Sequence, residues 1–116
     1  MSELIKYFQE SGVLVIEILL DKLDLFETPH VLSDVESALN ISASSTVIID
    51  LKNVHTIDSS GIGFLIAIRN NLNKKKVSLV VVCESDTVSQ IFRLTKVNQL
   101  IPMYKTREEA MAAAAK

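Results

Sequence analysis

Short runs rich in β-branched residues alternate along this chain with longer segments whose apolar residues recur every three or four positions. The short runs are typical of strands, and the longer segments are typical of helices that pack one face on a sheet. We predict strands over residues 4–8, 13–20, 46–51, 77–83 and 103–105, and helices over residues 28–40, 60–75, 85–97 and 106–116. This order predicts an α/β fold with a mixed, mostly parallel sheet of about four or five strands flanked by about four helices.

Polar residues at the predicted helix starts agree with this assignment. The Thr28 hydroxyl can cap the first helix ahead of Pro29, which is favourable in a first turn, and Ser85 can cap the third helix. Thr106 and Glu109 have the spacing of a capping box ahead of the alanine-rich C-terminal helix. The predicted core consists of apolar residues on the central strands and the second helix: Val15, Ile16, Ile18, Val47, Ile48, Ile49, Leu65, Ile68, Val80, Val81 and Val82.

Composition limits the classes of function. With 116 residues the chain is expected to form one domain, residues 1–116, which is too short for two lobes around a cleft. A net charge of −2, with a basic run only at the predicted helix end Lys74–Lys76, argues against nucleic-acid binding. No apolar run reaches the roughly 20 residues of a membrane span, and no signal peptide is visible, so we expect a cytoplasmic protein without membrane contact. The single cysteine, Cys83, lies in an apolar run and is expected in the core.

The stretch TIDSSGIG, residues 56–63, combines an acid, two hydroxyls and two glycines at the start of the second helix. At about 100° per residue, one side of that helix carries the expected core residues Gly61, Phe64, Leu65, Ile68 and Leu72. The other side carries Ser59 together with Ile62, Gly63, Ile66 and Arg69. Because a helix on a sheet buries one face, we expect Ile62 and Ile66 to be exposed beside an exposed serine, as in a switchable protein interface.

The segment Asp58–Gly61 admits four interpretations. It can be a helix cap, in which a side chain accepts hydrogen bonds from first-turn N–H groups. A nucleophilic serine would need a base, but the only histidines are His30 and His55 and the nucleophile-elbow spacing is absent. Dinucleotide binding is weakly indicated, because the third glycine of that fingerprint would fall on Ile66. The fourth interpretation is phosphorylation of the serine itself.

Phosphorylation suits this position on physical grounds. A helix N-terminus tolerates an anion, because its free N–H groups and the helix dipole favour negative charge. The roughly two negative charges of a phosphate would place a strongly hydrated group beside apolar neighbours. We therefore expect a phosphorylated protein to keep its fold and lose an interface at this surface.

Three blocks of the chain resemble STAS-domain anti-sigma factor antagonists of the bacterial partner-switching type. They are VIIDLKNVHTIDSSGIGFLIAIRN at 47–70, KLD at 22–24 and IFRLTKVNQLIPMY at 91–104. The resemblance implies a single STAS domain that is not an enzyme and needs no cofactor or metal. It also implies that the serine after the motif aspartate, here Ser59 after Asp58, is phosphorylated by an anti-sigma factor with serine kinase activity. In that family the unphosphorylated protein binds the anti-sigma factor and frees a sigma factor, and a PP2C-type phosphatase reverses the modification.

Two features leave alternatives open. Asp21 stands where the family usually has glycine, and Ser60 offers a second hydroxyl next to Ser59. Asp24 and Asp58 either satisfy backbone N–H groups or form an acidic rim that orients Ser59 and meets a basic partner. The alternative function is a STAS scaffold subunit of a lipid-transport or stress-signalling complex that is not phosphorylated.

Overall fold

Seven strands and four α-helices lie along residues 3–115, the part of the chain that this computed structural model describes. The strands are β1 (Ile5–Glu10), β2 (Val13–Ile18), β3 (Lys22–Leu23), β4 (Thr46–Asp50), β5 (Thr56–Ile57), β6 (Ser78–Val82) and β7 (Met103–Tyr104). The α-helices are α1 (Thr28–Asn40), α2 (Ser59–Lys74), α3 (Asp86–Leu94) and α4 (Arg107–Ala114), and a 3₁₀ turn follows α3 at Val97–Gln99.

The main sheet has five strands in the order β1-β2-β4-β6-β7. Only β1 is antiparallel to its neighbour, while β2, β4, β6 and β7 are mutually parallel. A two-residue turn joins β1 to β2, with φ of 53° at Ser11 and 77° at Gly12, and two positive φ angles match the twist of a tight hairpin. The prediction of a mixed, mostly parallel sheet is confirmed.

Helices cover both faces of this sheet. One core cluster joins α1, α2 and α3 to alternate residues of β2, β4 and β6, and the other joins α4 to the intervening residues. The strand β4 is therefore buried on both faces, as its apolar run predicts. All the predicted core residues are buried: Val15, Ile16, Ile18, Val47, Ile48, Ile49, Leu65, Ile68, Val80, Val81 and Val82.

The caps at the helix starts are predicted correctly in two cases and incorrectly in one, although α1 begins at Thr28 as predicted. The Ser85 side chain accepts a hydrogen bond from Val88 N, and Thr106 and Glu109 form the predicted capping box. The Thr28 cap is wrong, because the preceding turn is closed by Asp24 and Thr28 lies buried inside α1. The C-terminal helix ends at Ala114, and the predicted extension to residue 116 reaches beyond the described residues.

A second sheet, which the sequence did not predict, contains only β3 and β5. The two strands are parallel, with Leu23 opposite Ile57. Further bonds extend this contact: His55 N donates to the carbonyl oxygen of Asp21 at 2.7 Å, and Asp58 N donates to that of Leu23 at 3.2 Å. The small sheet therefore holds the chain before α1 against the chain before α2.

Gly61 lets α2 approach this small sheet. A β-carbon at Gly61 would lie 2.6 Å from the carbonyl oxygen of Leu23 and 2.5 Å from Cγ1 of Ile57, both closer than atoms can approach. A β-carbon at Gly63, two residues further along the same helix, would have no atom within 4 Å. Packing therefore requires a glycine at position 61 but not at position 63.

A charged cluster, also not predicted, ties α4 to the sheet. The Arg107 guanidinium donates to Asp50 Oδ2 from Nε at 2.9 Å and from Nη2 at 2.8 Å, and to Glu17 Oε1 from Nη2 at 3.0 Å. Asp50 is 1% exposed. Burial disfavours the charged forms of both groups, but the hydrogen bonds and the opposite charges of the partners together outweigh this cost. The pKa of Arg107 is therefore raised, and that of Glu17, also bonded by Asn53 and near Lys52, is lowered.

The two glycines of α2 provide a matched pair for testing the packing. Gly61→Ala should destabilise the protein by about 1–3 kcal/mol, because the helix must move away from β3 and β5. Gly63→Ala should stabilise it by up to about 1 kcal/mol through helix propensity alone. Urea denaturation of both variants measures the difference, and equal shifts would refute the close packing of Gly61.

The charged cluster gives a second stability prediction. Arg107→Met keeps most of the side-chain volume but leaves Asp50 buried without its cation, and should destabilise the protein by about 3 kcal/mol. The control is Lys105→Met, since Lys105 pairs with the exposed Asp86 at 3.4 Å and that pair should contribute little. Thermal unfolding near pH 7 compares them, and a near-neutral Arg107→Met would contradict the role of the cluster.

Candidate functional site

The candidate site lies at the N-terminus of α2, where Asp58 is the capping residue. Its backbone is extended, and its Oδ1 accepts hydrogen bonds from Ser60 N at 2.8 Å and from Gly61 N at 3.2 Å. Such caps typically contribute about 1 kcal/mol. Of the interpretations of this segment, a cap at Asp58 is therefore confirmed.

Asp24 plays a similar part in the turn before α1. Its Oδ1 accepts from Phe26 N and from Glu27 N, each at 3.0 Å, and its Oδ2 lies 4.0 Å from Lys22 Nζ. Both aspartates thus satisfy backbone N–H groups, as one of the two interpretations expected. Within residues 3–115, no group of three or more acidic, histidine or cysteine side chains is arranged to hold a metal ion.

The second oxygen of Asp58 connects the two turns. Asp58 Oδ2 accepts a hydrogen bond from Leu25 N at 3.1 Å, across 33 positions of sequence. One carboxylate therefore bonds three N–H groups, two in α2 and one in the turn that precedes α1. Any change in the charge or position of Asp58 acts on both segments at once.

The turn held by Asp58 presents two exposed apolar side chains. Leu25 is 64% exposed and Phe26 is 79% exposed. These two residues were not predicted to be part of the site, although two consecutive apolar residues shortly before a Thr-Pro helix start are a recognisable signal. We call Leu25 and Phe26 the apolar tip. Because the backbone of the tip is fixed by Asp24 and Asp58, its side chains project from an ordered turn.

Ser59 is the first residue of α2 and is exposed, as predicted. No residue in the described part of the chain makes a hydrogen bond to its hydroxyl, whereas Ser60 is half-buried. Ser59 makes no hydrogen bond with His30 or His55 among the described residues. Ser59 is thus an exposed residue beside the cap, and within residues 3–115 its hydroxyl has no hydrogen-bond partner.

The outer side of α2 differs in part from the prediction. Gly63 is exposed, but the expected full exposure of Ile62 and Ile66 is wrong. Both isoleucines are half-buried because they pack against the larger core cluster, so the flanks of the helix as well as its underside contribute to the core. The exposed apolar area near Ser59 is therefore supplied largely by the apolar tip.

Arg69 lies apart from the other site residues. It is half-buried, its Nη1 donates to Asn70 Oδ1 at 3.2 Å, and it lines a depression with Thr46 and Ser78, which begin β4 and β6. Ten residues of helix place it about 15 Å from Ser59 along the axis. The fold brings together Asp24, Asp58 and Ser59 but leaves Arg69 near the opposite end of the sheet.

Cys83 lies in the core, as its apolar neighbours in the sequence predict. Cys83 is buried, and burial raises the pKa of its thiol, so it behaves as a core residue. Within the described range, each helix is too short or too polar to cross a lipid bilayer.

Several solved structures share this fold. An anti-sigma factor antagonist from Mycobacterium paratuberculosis aligns with a TM-score of 0.86 at 21% identity, covering 97% of this chain and 93% of that chain. The phosphorylated Bacillus cell fate determinant SpoIIAA aligns with a TM-score of 0.67 at 20% identity, covering 95% of this chain and 98% of that chain. A sulfate transporter family protein from Wolinella succinogenes aligns with a TM-score of 0.76 at 17% identity, covering 91% of this chain and 87% of that chain.

The sequence itself identifies the family. No curated protein matches the chain. The structural neighbours above are less than 25% identical and establish the fold alone. A family model for the STAS domain, however, matches residues 5–110, which is nearly the whole chain. The protein therefore belongs to the STAS domain family.

Proposed function

We propose that this protein is an anti-sigma factor antagonist controlled by phosphorylation at Ser59. The unphosphorylated form binds an anti-sigma factor with serine kinase activity and thereby frees a sigma factor. Phosphorylation releases the partner, and a PP2C-type phosphatase restores the binding form. On this proposal the protein is a cytoplasmic substrate and binding partner and has no catalytic activity of its own. The observation that carries the proposal is the exposed, unbonded Ser59 hydroxyl directly after the Asp58 cap.

The binding surface we propose surrounds this hydroxyl. It combines the apolar tip with the outer side of α2 at Ile62, Gly63 and Ile66, and it extends toward Arg69. Asp24 and Asp58 place negative charge between the tip and the helix. A partner that fits this surface has an apolar pocket for Leu25 and Phe26 bordered by basic side chains.

The mechanism of release follows from the hydrogen bonds of Asp58. A phosphate adds about −1.5 to −2 charge at pH 7 on the residue next to this carboxylate. The helix N-terminus attracts the phosphate, but Asp58 already occupies the N–H groups of Ser60 and Gly61. Phosphate and carboxylate therefore repel each other and compete for the same donors. Displacement of Asp58 weakens its bond to Leu25 N, so the modification alters the apolar tip as well as the charge.

This proposal predicts one phosphate, on Ser59. Incubation with the cognate kinase, ATP and Mg²⁺ should modify the parent protein and Ser60→Ala to the same extent, and should leave Ser59→Ala unmodified. Peptide mass spectrometry assigns the position. A phosphate on Ser60, or full modification of Ser59→Ala, would reject the assignment.

Negative charge at position 59 is predicted to weaken the partner complex while preserving the fold. Ser59→Asp should reduce the affinity for the anti-sigma factor by about tenfold or more, since a like charge is added beside Asp58. In the control variant Ser59→Asn, the asparagine has nearly the same size as the aspartate but no charge. This variant should bind like the parent. Calorimetry measures the dissociation constants, and unfolding curves check the fold. Equal affinities of the two variants would contradict charge-driven release.

The alternative function is a constitutive STAS scaffold in a lipid-transport or stress-signalling complex. The fold is compatible with it, since a sulfate transporter family protein shares that fold at a TM-score of 0.76. A scaffold would co-purify stably with its complex, and Ser59→Asp would leave that association unchanged. The same variant thus distinguishes the two functions.

A further inference from the structure

The strand β1 lies at the edge of the main sheet and leaves one side of its backbone unpaired by β2. Leu19 N donates to the carbonyl oxygen of Leu4 at 2.8 Å, and Ile5 lies opposite Ile18. Since hydrogen-bonded pairs alternate along an antiparallel ladder, the residues that bond β2 are Lys6, Phe8 and Glu10. The N–H and C=O groups of Tyr7 and Gln9 therefore point away from the sheet.

The turn to β2 gives the same result independently. In a two-residue hairpin with positive φ at both central residues, the residues flanking the turn form a hydrogen-bonded pair. Here those residues are Glu10 and Val13, which lie opposite each other. The outward direction of Tyr7 and Gln9 thus follows from both ends of the strand.

We propose that a second copy of this chain pairs antiparallel with β1 about a two-fold axis at Phe8. In this register Tyr7 of each copy exchanges backbone hydrogen bonds with Gln9 of the other. Phe8 faces Phe8, and Lys6 of each copy faces Glu10 of the other. The pairing joins two five-stranded sheets into one continuous sheet and does not involve Ser59.

Charge complementarity selects this occupant and this register. Lys6 and Glu10 are both exposed and point to the same face of β1, two residues on either side of Phe8. A two-fold axis at Phe8 therefore creates two ion pairs. These pairs fall at positions without backbone bonds, where the Cα atoms of an antiparallel ladder approach to about 4.5 Å and side chains are closest.

Other registers lose this complementarity. The outward groups permit shifts of the axis by one residue, to Tyr7 or to Gln9. An axis at Tyr7 places Lys6 opposite Phe8, and an axis at Gln9 places Glu10 opposite Phe8. Neither pairs the lysine with the glutamate, so the register centred on Phe8 is the most favourable.

The surroundings of Phe8 accommodate a second aromatic ring. Phe8 is 43% exposed, and its ring centroid lies 5.5 Å from the guanidinium carbon of Arg107. A depression of about 440 Å³ lined by Phe8, Glu10, Arg107, Glu108 and Met111 opens beside it. Tyr7, on the other face, is 46% exposed. Pairing covers these rings, which are otherwise unusual on the edge of a sheet.

The interface is small, so we expect association that depends on concentration and on salt. Sedimentation equilibrium of the full chain, from about 10 µM to about 1 mM at low salt, measures the dissociation constant of the dimer. Lys6→Glu and Glu10→Lys each replace two ion pairs with two like-charge pairs and should weaken association by about tenfold. The double variant Lys6→Glu/Glu10→Lys restores both pairs and should return to within about threefold of the parent.

Each outcome decides the proposal. A parent protein that stays monomeric at all concentrations overturns it, as does a double variant that associates no better than the single ones. Tyr7→Pro provides a second test, because it removes an N–H that points away from β2 and leaves the β1–β2 ladder intact. It should abolish association while unfolding curves show a folded monomer. Undiminished association of Tyr7→Pro would place the contact elsewhere.

Discussion

The site depends on one carboxylate that bonds three backbone N–H groups. Asp58 caps α2 through Ser60 and Gly61, and its other oxygen fixes the turn that carries Leu25. The strands β3 and β5 already hold the two segments together, and this bond adds a direct link from the helix cap to the backbone of the turn. On the proposed function, a charge added at the residue after Asp58 acts through this bond on the exposed side chains of the apolar tip. That route would let a switch operate without a change of fold.

Packing beneath the carboxylate makes the connection possible. The two-residue strands β3 and β5 bring the turn before α1 to the start of α2, and the missing side chain of Gly61 lets the helix rest on them. On the opposite face, Arg107 anchors α4 to Asp50, so both faces of the central strand β4 are covered. The five-stranded sheet is therefore covered on both faces, and the Ser59 hydroxyl lies at its margin.

The sequence predicted what depends on local pattern and missed what depends on distant contacts. Periodicity identified the helices and the five main strands, and hydroxyl side chains marked the starts at Ser85 and Thr106. The strands β3 and β5 have too few residues to show any alternation, and nothing near Asp50 indicates that Arg107, 57 positions later, neutralises it. Thr28 looked like a cap, yet Asp24 closes that turn. The partial burial of Ile62 likewise depends on packing between distant parts of the chain.

We infer that Asp58 transmits a charge at Ser59 to the apolar tip. Amide hydrogen exchange at Leu25, followed by NMR in phosphorylated and unphosphorylated protein, tests this transmission. Phosphorylation should accelerate exchange of the Leu25 amide by loosening its bond to Asp58, while amides in β4 and β6 keep their protection. Unchanged exchange at Leu25 in a protein fully phosphorylated at Ser59 would contradict it.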